Sequence, residues 1–547
     1  MQLRQFGYLI LLASTSVLAA SYEDWQRRSI YQLVTDRFAT SDGSSPPCDT
    51  SQRQYCNGTW QGVISKLDYI QNMGFDAIWI SPVVANLEGD TGDGTSYHGY
   101  WTIDQTRLNE HFGTDGDLKL LSDTLHQRGM YLMVDVVVND MAAPLLSAPS
   151  NASDSSIPPA VNYTAFTPFN NQSSFHPFCW ITDYNNQTDV EQCWLGDSSV
   201  PLADVDTENP DIVAFFNGWI ADLVENYGID GLRLDTVKHV RKDFWPAFAQ
   251  SATVWSIAEV LDGDIAYVAN YTGYLDAVLD YPDFYPLTRG FQSTSGDLSQ
   301  LASSVHDSQS AYRLGTFMTG AFLENQDNPR FPSLTTDQSL IMNAMTWVFV
   351  QDGLPILYYG QEQGYAGGND PDNREALWLS GYEENRPLVI HVRSLNAARK
   401  AAIGWNNAAF LRTPVGFPVS TSSQLAVSKA PLLALLTNVG GSSSPSWSIG
   451  STNYTSGEEL IDALSCVTTK AGAGGAVSWT SQSGMPAVLL PTSVFNETYC
   501  NTLKTDVSGD AGSPWEAQSS GGGLALSTVG ALVATSLSVL FLATWIS

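Results

Sequence analysis

Basic residues are scarce in this chain: its 547 residues include 25 lysines and arginines against 56 aspartates and glutamates, for a formal net charge of −31. Proteins that bind nucleic acids need a basic surface to contact the phosphates. The charge balance therefore argues strongly against nucleic acid as a partner. It is typical of a soluble protein that acts on a neutral or cationic substrate.

Cysteine is also rare, and no two of the six cysteines form a CxxC pair, so a zinc site is not expected. An even number of cysteines suits disulfide bonding in an oxidising compartment. Six cysteines allow fifteen connectivities in principle. Proximity along the chain favours three local bridges, Cys48–Cys56, Cys179–Cys193 and Cys466–Cys500.

The two ends of the chain predict processing. Residues 1–20 combine Arg4, an apolar run and small residues, which indicates a secretory signal peptide. At the other end, small residues 511–513, a polar spacer to 523 and an apolar tail from 524 match a GPI-attachment signal. A tail-anchored helix is the alternative, but no lysine or arginine follows Lys504 to flank it. We expect a secreted monomer, GPI-anchored at the plasma membrane and/or cell wall.

Short apolar runs alternate with helix-like stretches such as 63–73 and 118–128. Eight runs are candidate strands, which predicts a (β/α)8 TIM barrel: 30–35, 77–81, 131–138, 229–235, 254–259, 276–279, 316–324 and 355–359. A doubly wound sheet is the alternative. However, no glycine-rich nucleotide-binding motif follows a first strand.

About seventy residues rich in Asn, Ser, Pro and Asp lie between the third candidate strand and the helix that begins near residue 209, too many for a structureless loop. We therefore predict a small inserted domain after strand 3 and a C-terminal antiparallel β-sandwich. The predicted divisions are a signal peptide 1–20, a barrel 21–138 and 206–404, an inserted domain 139–205, a C-terminal domain 405–503, a spacer 504–523 and a hydrophobic tail 524–547.

Three acids, Asp235, Glu259 and Asp327, lie at or just past the ends of candidate strands. Closure of the barrel would bring them to one rim, where barrel enzymes carry their chemistry. Two carboxylates about 5–5.5 Å apart permit retaining glycoside hydrolysis, in which one attacks the anomeric carbon and the other protonates the leaving oxygen. The apolar residues Trp255 and Ile257 near Glu259 suit an acid whose pKa is raised. The predicted burial of Arg233 beside Asp235 also indicates a catalytic carboxylate. A buried Arg–Asp pair with only a structural role is the alternative.

Several ordered motifs resemble the signature regions of the α-amylase family, glycoside hydrolase family 13, most closely its fungal secreted members. The similarity extends from about residue 25 to 500 and includes six segments: 97–101, 135–139, 231–239, 259–263, 324–330 and 369–371. The resemblance implies that Asp235 is the nucleophile and Glu259 the general acid/base. It further implies that Asp327 holds sugar hydroxyls and that Arg233 orients Asp235.

The resemblance also implies a substrate, an α-1,4-glucan or maltooligosaccharide, and residues that bind it. Tyr100 would stack on a sugar ring, and His98, Asp370 and Arg374 would bind neighbouring glucosyl units. Lys238 and His239 would border the acceptor side.

A structural Ca²⁺ between the barrel and the inserted domain is implied as well. The matching positions are Asn139, Glu191, Asp206 and the backbone carbonyl of His239, and all of them offer the hard oxygen ligands that calcium prefers. Ordinary polar loop residues are the alternative.

Two positions depart from the family pattern. Its first signature ends Asn-His, but here Asp140 follows Asn139; its last reads Glu-Asn-His-Asp, but here Gln326 precedes Asp327. Typical α-amylases use both histidines to hydrogen-bond the sugar at the cleaved bond. A disulfide usual in the relatives is also missing, since no cysteine lies between Cys193 and Cys466.

The two substitutions predict poor hydrolysis, while the complete carboxylate set argues against a dead enzyme. The combination with a GPI signal is similar to fungal membrane- and wall-bound 4-α-glucanotransferases. We therefore expect transfer between glucan chains to exceed hydrolysis, in cell-wall α-glucan metabolism. An ordinary α-amylase is the first alternative, and a non-catalytic glucan-binding wall protein the second.

Overall fold

The computed structural model describes residues 20–147, 158–495, 498 and 500. The predicted signal peptide (apart from residue 20), the predicted spacer and the apolar tail lie outside the described residues. Within the described ranges, no helix combines the length and the apolar character needed to cross a membrane.

Eight parallel strands close into a barrel, which confirms the predicted (β/α)8 fold. In chain order they are β1 Ile30–Leu33, β2 Ala77–Ile80, β3 Tyr131–Val136, β4 Gly231–Leu234, β5 Trp255–Ala258, β6 Ala277–Leu279, β7 Thr319–Ala321 and β8 Leu354–Tyr358. Each strand pairs with the next and β8 pairs with β1. Since parallel strands are covered on both faces, these runs are buried, apart from Tyr131 at the start of β3, which is partly buried.

Alternate residues of each barrel strand face opposite ways, because side chains in a strand have a period of two. Ile30, Ala77 and Met133 belong to the cluster inside the barrel. Tyr31 and Ile78 belong to the larger core between the barrel and its helices. The same alternation turns Arg233 inward, toward the axis of the barrel.

The helices that cover the barrel carry apolar residues at helical spacing. One of the two longest, Pro210–Tyr227, buries Ile212, Phe216, Ile220 and Leu223, and it ends at Gly228, whose φ of 59° suits glycine. The α-helices are Tyr22–Gln26, Thr35–Phe38, Trp60–Ser65, Leu67–Asn72, Asp115–Gln127, Gln187–Gln192, Pro210–Tyr227, Trp245–Ala252, Ile265–Ala269, Tyr281–Phe291, Leu298–Ala311, Gln338–Val350 and Pro387–Gly404.

Two smaller sheets lie between barrel strands. A hairpin of Val84–Asn86 and Thr102–Leu108, which the sequence pattern did not reveal, follows β2. After β3, strands Asp140–Ala142, Leu195–Gly196 and Pro201–Asp204 form a three-stranded antiparallel sheet. This sheet lies in the predicted inserted segment, and the Cys179–Cys193 disulfide precedes its second strand.

Beyond the barrel the chain forms antiparallel sheets, as expected. A six-stranded sheet has the order Gly416–Ser420, Gln424–Lys429, Leu432–Thr437, Ala487–Pro491, Glu459–Asp462 and Thr468–Lys470, and a two-stranded sheet pairs Ser446–Ile449 with Val477–Thr480. Disulfides join Cys48 to Cys56 and Cys466 to Cys500, the local pairing that proximity favours. The predicted domain boundaries stay predictions.

Seven of the eight predicted runs are longer than the strands observed in them, and two are examples. The candidate run 316–324 contains the three-residue strand β7, preceded by a 3-10 helix over Gly315–Met318. The run 131–138 ends as a strand at Val136. In both cases the apolar pattern continues past the last ladder hydrogen bond, because the following residues remain buried at the rim.

Candidate active site

The strand ends place three carboxylates at one rim of the barrel. Asp235 directly follows β4, Glu259 directly follows β5, and Asp327 lies in the turn after β7. The N–H of Asp235 donates to the Val136 carbonyl at 3.0 Å, and the N–H of Glu259 donates to the Leu234 carbonyl at 2.8 Å. These backbone bonds extend the barrel ladder by one residue and fix where the side chains leave the rim.

Arg233 connects the first two carboxylates. Its side chain is 1% exposed, its Nη1 bonds to the Asp235 carboxylate, and its Nη2 lies 2.9 Å from Glu259 Oε1. A rigid guanidinium fork can hold two carboxylates at once in a way that a flexible ammonium cannot. One cation therefore sets the relative position of the predicted nucleophile and the predicted acid.

A third acid, Asp135 on β3, faces the same guanidinium. The β3–β4 register pairs Asp135 with Arg233, and Nη1 lies 2.9 Å from Asp135 Oδ1. Asp135 also accepts from the Trp79 indole at 3.1 Å and from the Tyr100 hydroxyl at 2.7 Å. Asp135 was not among the predicted site residues, although a charged residue within a buried strand is the signal that identified Arg233.

The pKa of Asp235 in this cluster depends on a single cation, Arg233, which lies among several acidic groups. Burial raises the pKa of Asp235, Arg233 opposes that rise, and the charges of Glu259, Asp135 and Asp140 add to it. Arg233 is therefore the group that favours an ionised nucleophile. Partial desolvation in the cleft and the charge of Glu259 raise the pKa of Asp327.

Glu259 has two further partners that sequence analysis missed. Its Oε2 accepts from the backbone N–H of Thr236 at 3.0 Å, and the Tyr281 hydroxyl lies 3.4 Å from Oε1. Thr236 has a φ of 45°, a conformation that is uncommon for a residue other than glycine. Strain of this kind concentrates at functional sites, and here it turns an N–H toward the acid. No sequence signal marks Tyr281.

The turn that carries Asp327 is fixed by its neighbour Asn325. Asn325 Oδ1 accepts from the N–H of Asp327 at 2.9 Å, while its Nδ2 donates to the Tyr281 hydroxyl at 3.0 Å. Because Tyr281 also reaches Glu259, this amide links the third carboxylate to the second. The structure thus brings Asp235, Glu259 and Asp327 into one network.

The predicted sugar-binding residues surround this network. His98 Nδ1 accepts from the N–H of Tyr100 at 3.0 Å, and burial lowers the pKa of His98 well below its ordinary value, so the ring is neutral. In the loop after β8, Arg374 lies 2.9 Å from Asp370 and 3.7 Å from Asp327. These contacts place His98, Tyr100, Asp370 and Arg374 at the same rim as the carboxylates.

Lys238 and His239 lie in the turn after Asp235. Lys238 Nζ donates to the Leu261 carbonyl at 2.8 Å and lies 4.9 Å from the centre of the Tyr184 ring. Tyr184, which is about half exposed, also meets the His239 ring edge-on. Tyr184 was not among the predicted site residues; its exposed aromatic ring is suited to packing on a sugar face.

The two positions that depart from the family pattern are both buried. Asp140 is 3% exposed; one carboxylate oxygen accepts from Asn139 at 3.2 Å, and the other has no partner among the described residues. Burial raises the pKa of Asp140 to about 7. Gln326 donates from Nε2 to the Tyr100 hydroxyl at 3.2 Å, so it contacts a predicted sugar-binding residue directly.

The predicted calcium ligands come from four separate segments of the chain. The helix Gln187–Gln192, which carries Glu191, contacts the turn of His239, whose Nδ1 lies 3.1 Å from the Val190 carbonyl. The backbone carbonyl of Asn139 accepts from the N–H of Val205 at 2.9 Å. Asp206 lies with His176 and Glu208. The potential ligand atoms of these three residues all fall within 4.8 Å of one another.

Asp204, which was not among the predicted ligands, is buried opposite Asp140 in the strand pair that follows Asn139. Its carboxylate bonds to His176. Burial lowers the pKa of His176, but the hydrogen bonds to Asp204 and Glu208 outweigh this effect and raise the pKa to about 10. Asp204 is therefore an additional carboxylate at the junction of the inserted sheet and the barrel.

Comparisons with known proteins find similarity over most of the chain. The family model described as alpha amylase, catalytic domain, matches residues 32–410, and the model for alpha-amylase domain C matches residues 419–508. An alpha-amylase from Saccharomycopsis fibuligera is 44% identical over 86% of this chain and 92% of its own length. Alpha-amylase 1 of Lipomyces kononenkoae is 50% identical over 71% of this chain, a region that makes up 61% of that protein.

Among solved structures, an alpha-amylase from Malbranchea cinnamomea superposes with a TM-score of 0.83 at 43% identity. The match covers 87% of this chain and 99% of that one. The similarity therefore spans the barrel, the inserted segment and the C-terminal sheets together.

Proposed function

The chain belongs to the α-amylase family, glycoside hydrolase family 13, as the sequence motifs predicted, and we propose that within this family it is a 4-α-glucanotransferase. In this proposal it cleaves an α-1,4-glucan and passes the glycosyl unit to another glucan more often than to water. The observation that carries the proposal is the complete carboxylate network beside Asp140 and Gln326, which replace two histidines of the family pattern.

The proposed reaction has two steps. In the first, the Asp235 carboxylate attacks the anomeric carbon, the bond to the leaving glucan oxygen breaks, and the Glu259 carboxyl transfers its proton to that oxygen. In the second, the O4 hydroxyl of an acceptor glucan attacks the same carbon and gives its proton to Glu259, and the bond to Asp235 breaks. If water takes the place of the acceptor, the outcome is hydrolysis.

The two substitutions favour transfer for an energetic reason. A neutral amide donates a weaker hydrogen bond to the sugar than an imidazole would, and an ionised carboxylate donates none; the loss of such contacts typically costs on the order of a few kcal/mol of transition-state stabilisation. Both steps become slower, and the glycosyl-enzyme lasts longer. An acceptor glucan can offset the higher barrier with the energy of binding to the acceptor side, at Lys238 and Tyr184, whereas water cannot.

We also propose that the protein binds calcium through oxygen atoms of Asn139, Glu191 and the His239 carbonyl. A carboxylate from the end of the strand Pro201–Asp204 completes the set, either Asp206 or its neighbour Asp204. The donor chemistry fits, because these groups are hard oxygens at the junction of the inserted sheet and the barrel. Bound there, the ion would hold the inserted segment against the turn that follows Asp235.

The proposed location is the outer face of a fungal plasma membrane or the cell wall, with a GPI anchor replacing the apolar tail. The order of small residues, polar spacer and apolar tail supports this proposal. Treatment of cells with a phosphatidylinositol-specific phospholipase checks it, since enzyme held by a GPI anchor in the membrane would be released. The expectation of a monomer stays a prediction.

The test of transfer uses one pure maltooligosaccharide, such as maltopentaose. Hydrolysis creates one new reducing end per bond cleaved, whereas transfer leaves the number of reducing ends unchanged. We expect chromatography to show products longer than the substrate while the number of reducing ends rises slowly. Asp235→Asn is the matched inactive control. Products no longer than the substrate would show that the enzyme is an ordinary α-amylase, and glucan binding without turnover would show that it is a binding protein.

A further inference from the structure

A buried glutamine on β1 contacts the active site from inside the barrel. Gln32 faces the barrel interior, in register with Trp79 on β2 and Tyr358 on β8, and it is 3% exposed. Its Nε2 donates to Oε1 of Gln326 at 2.6 Å. Gln32 thus holds the residue that replaces a family histidine, on the side opposite Tyr100.

The direction of each hydrogen bond in this chain of contacts can be worked out from the carboxylate outward. Asp135 receives hydrogen bonds from Arg233, from the Trp79 indole and from the Tyr100 hydroxyl. Because the single hydroxyl hydrogen of Tyr100 points to Asp135, the Tyr100 oxygen can only accept from Gln326. The Gln326 Nε2 must therefore face Tyr100, and its Oε1 must face Gln32.

This orientation leaves one hydrogen of the Gln326 amide for a ligand. Tyr100 is the partner that the structure gives to Gln326 Nε2, and an amide nitrogen has two hydrogens. The reverse orientation would turn the carbonyl oxygen toward Tyr100 and the cleft. The second hydrogen faces a sugar hydroxyl only while the amide is held in place.

We propose that Gln32 is a positioning residue, which fixes the rotation of the Gln326 amide so that an N–H is presented to the sugar at the cleaved bond. The inference rests on the proposed role of Gln326 at that position. An apolar side chain would suit the surroundings of Gln32 better, because Ile30 and Trp79, which face the barrel interior with it, are largely apolar and its own Oε1 has no partner among the described residues. The contact with Gln326 explains why an amide occupies this buried position.

A double-mutant cycle tests the proposal, using Gln32→Leu, Gln326→Leu and the two together on full-length enzyme. The readout is total cleavage of maltopentaose, whether by transfer or by hydrolysis. We expect Gln32→Leu to lower kcat about tenfold with little change in KM, and Gln326→Leu to lower it further. If Gln32 acts through Gln326, the double variant will equal Gln326→Leu alone, because the amide to be oriented is gone. Multiplied losses in the double variant would overturn the proposal.

A second variant makes the orientation itself measurable. Gln32→Glu places an acceptor where a donor stood, so the Gln326 amide should turn its NH2 group toward position 32 and its carbonyl toward the cleft. We expect a larger loss of kcat than in Gln32→Leu, and partial recovery as the pH falls, since a protonated carboxyl can donate again. Equal losses for Leu and Glu at every pH would contradict a role in orientation.

Gln351→Leu is the matched control for folding. This buried glutamine bonds to backbone carbonyls of Val348 and Gly353, away from the carboxylate rim. We expect a lower melting temperature with an unchanged kcat. The cycle also separates the positioning role of Gln32 from the proposed transferase activity. An unchanged kcat in Gln326→Leu would show that neither Gln326 nor Gln32 contributes to catalysis. The ratio of longer products to new reducing ends tests transfer independently.

Discussion

The Arg233 guanidinium lies 2.9 Å from the Glu259 carboxylate while its other nitrogen bonds to Asp235. One planar group therefore aligns the predicted acid with the predicted nucleophile, and it does so without exposure to solvent. The same cation also faces Asp135, so it offsets part of the charge of three acids. The spacing of the two reactive carboxylates thus depends on the shape of this side chain as much as on its charge.

We predict that Arg233→Lys lowers kcat by about 100-fold, which corresponds to about 3 kcal/mol. A lysine keeps the charge, but its single ammonium cannot reach Asp135, Asp235 and Glu259 together. Steady-state turnover of maltopentaose checks the loss, and circular dichroism checks the fold. Activity within a fewfold of the parent would show that charge alone suffices.

Restoring the histidines should change what receives the glycosyl unit. We expect the double variant Asp140→His with Gln326→His to release more new reducing ends and fewer long products from maltopentaose. Imidazoles would donate stronger hydrogen bonds to the sugar during attack by water, which lacks binding energy of its own. Each single variant serves as a control for the other position. An unchanged ratio would mean that the acceptor side, and not these two positions, sets the preference for transfer.

The parts of the site that follow from strand order were predictable from the sequence. Asp235 and Glu259 come directly after buried strands, and the carboxyl ends of parallel strands meet at one rim. The partners that lie across the barrel could not be predicted from the sequence. Gln32 and Gln326, for example, are 294 positions apart, and only closure of the barrel brings them together. Thr236 was missed for another reason: its role depends on a backbone conformation that composition does not reveal.

Removal of calcium should loosen the junction between the inserted sheet and the barrel. We predict that a chelator lowers the melting temperature and that added Ca²⁺ restores it, since a ligand that binds only the folded state stabilises it. Asp204→Asn and Asp206→Asn identify the carboxylate involved: the variant of the true ligand should melt lower and respond less to Ca²⁺. If the chelator leaves the melting temperature unchanged, the calcium proposal is wrong.

Two buried acids outside the active site predict an unusual dependence of stability on pH. Asp280 and Asp283 lie at the start of the helix Tyr281–Phe291, and the Ser304 hydroxyl donates to Asp283 at 2.6 Å. Burial raises the pKa of Asp280 to about 6, although hydrogen bonds to Thr319 and Asp283 oppose the rise. Burial and the charge of Asp280 raise the pKa of Asp283 still further from its ordinary range.

The sign of the effect follows from proton binding. Between about pH 4 and pH 6 the folded protein holds the Asp280 proton more tightly than the unfolded chain does, so this group makes stability fall as the pH rises. The full penalty, on the order of 2–3 kcal/mol, applies above pH 6. We therefore predict that Asp280→Asn raises the melting temperature at pH 7.5 and has much less effect at pH 4.5. Asp307→Asn is the control, because Asp307 is exposed and the substitution removes a solvated charge, not a buried one. Thermal unfolding at the two pH values decides, and an equal shift at both would show that the buried carboxylate carries no such penalty.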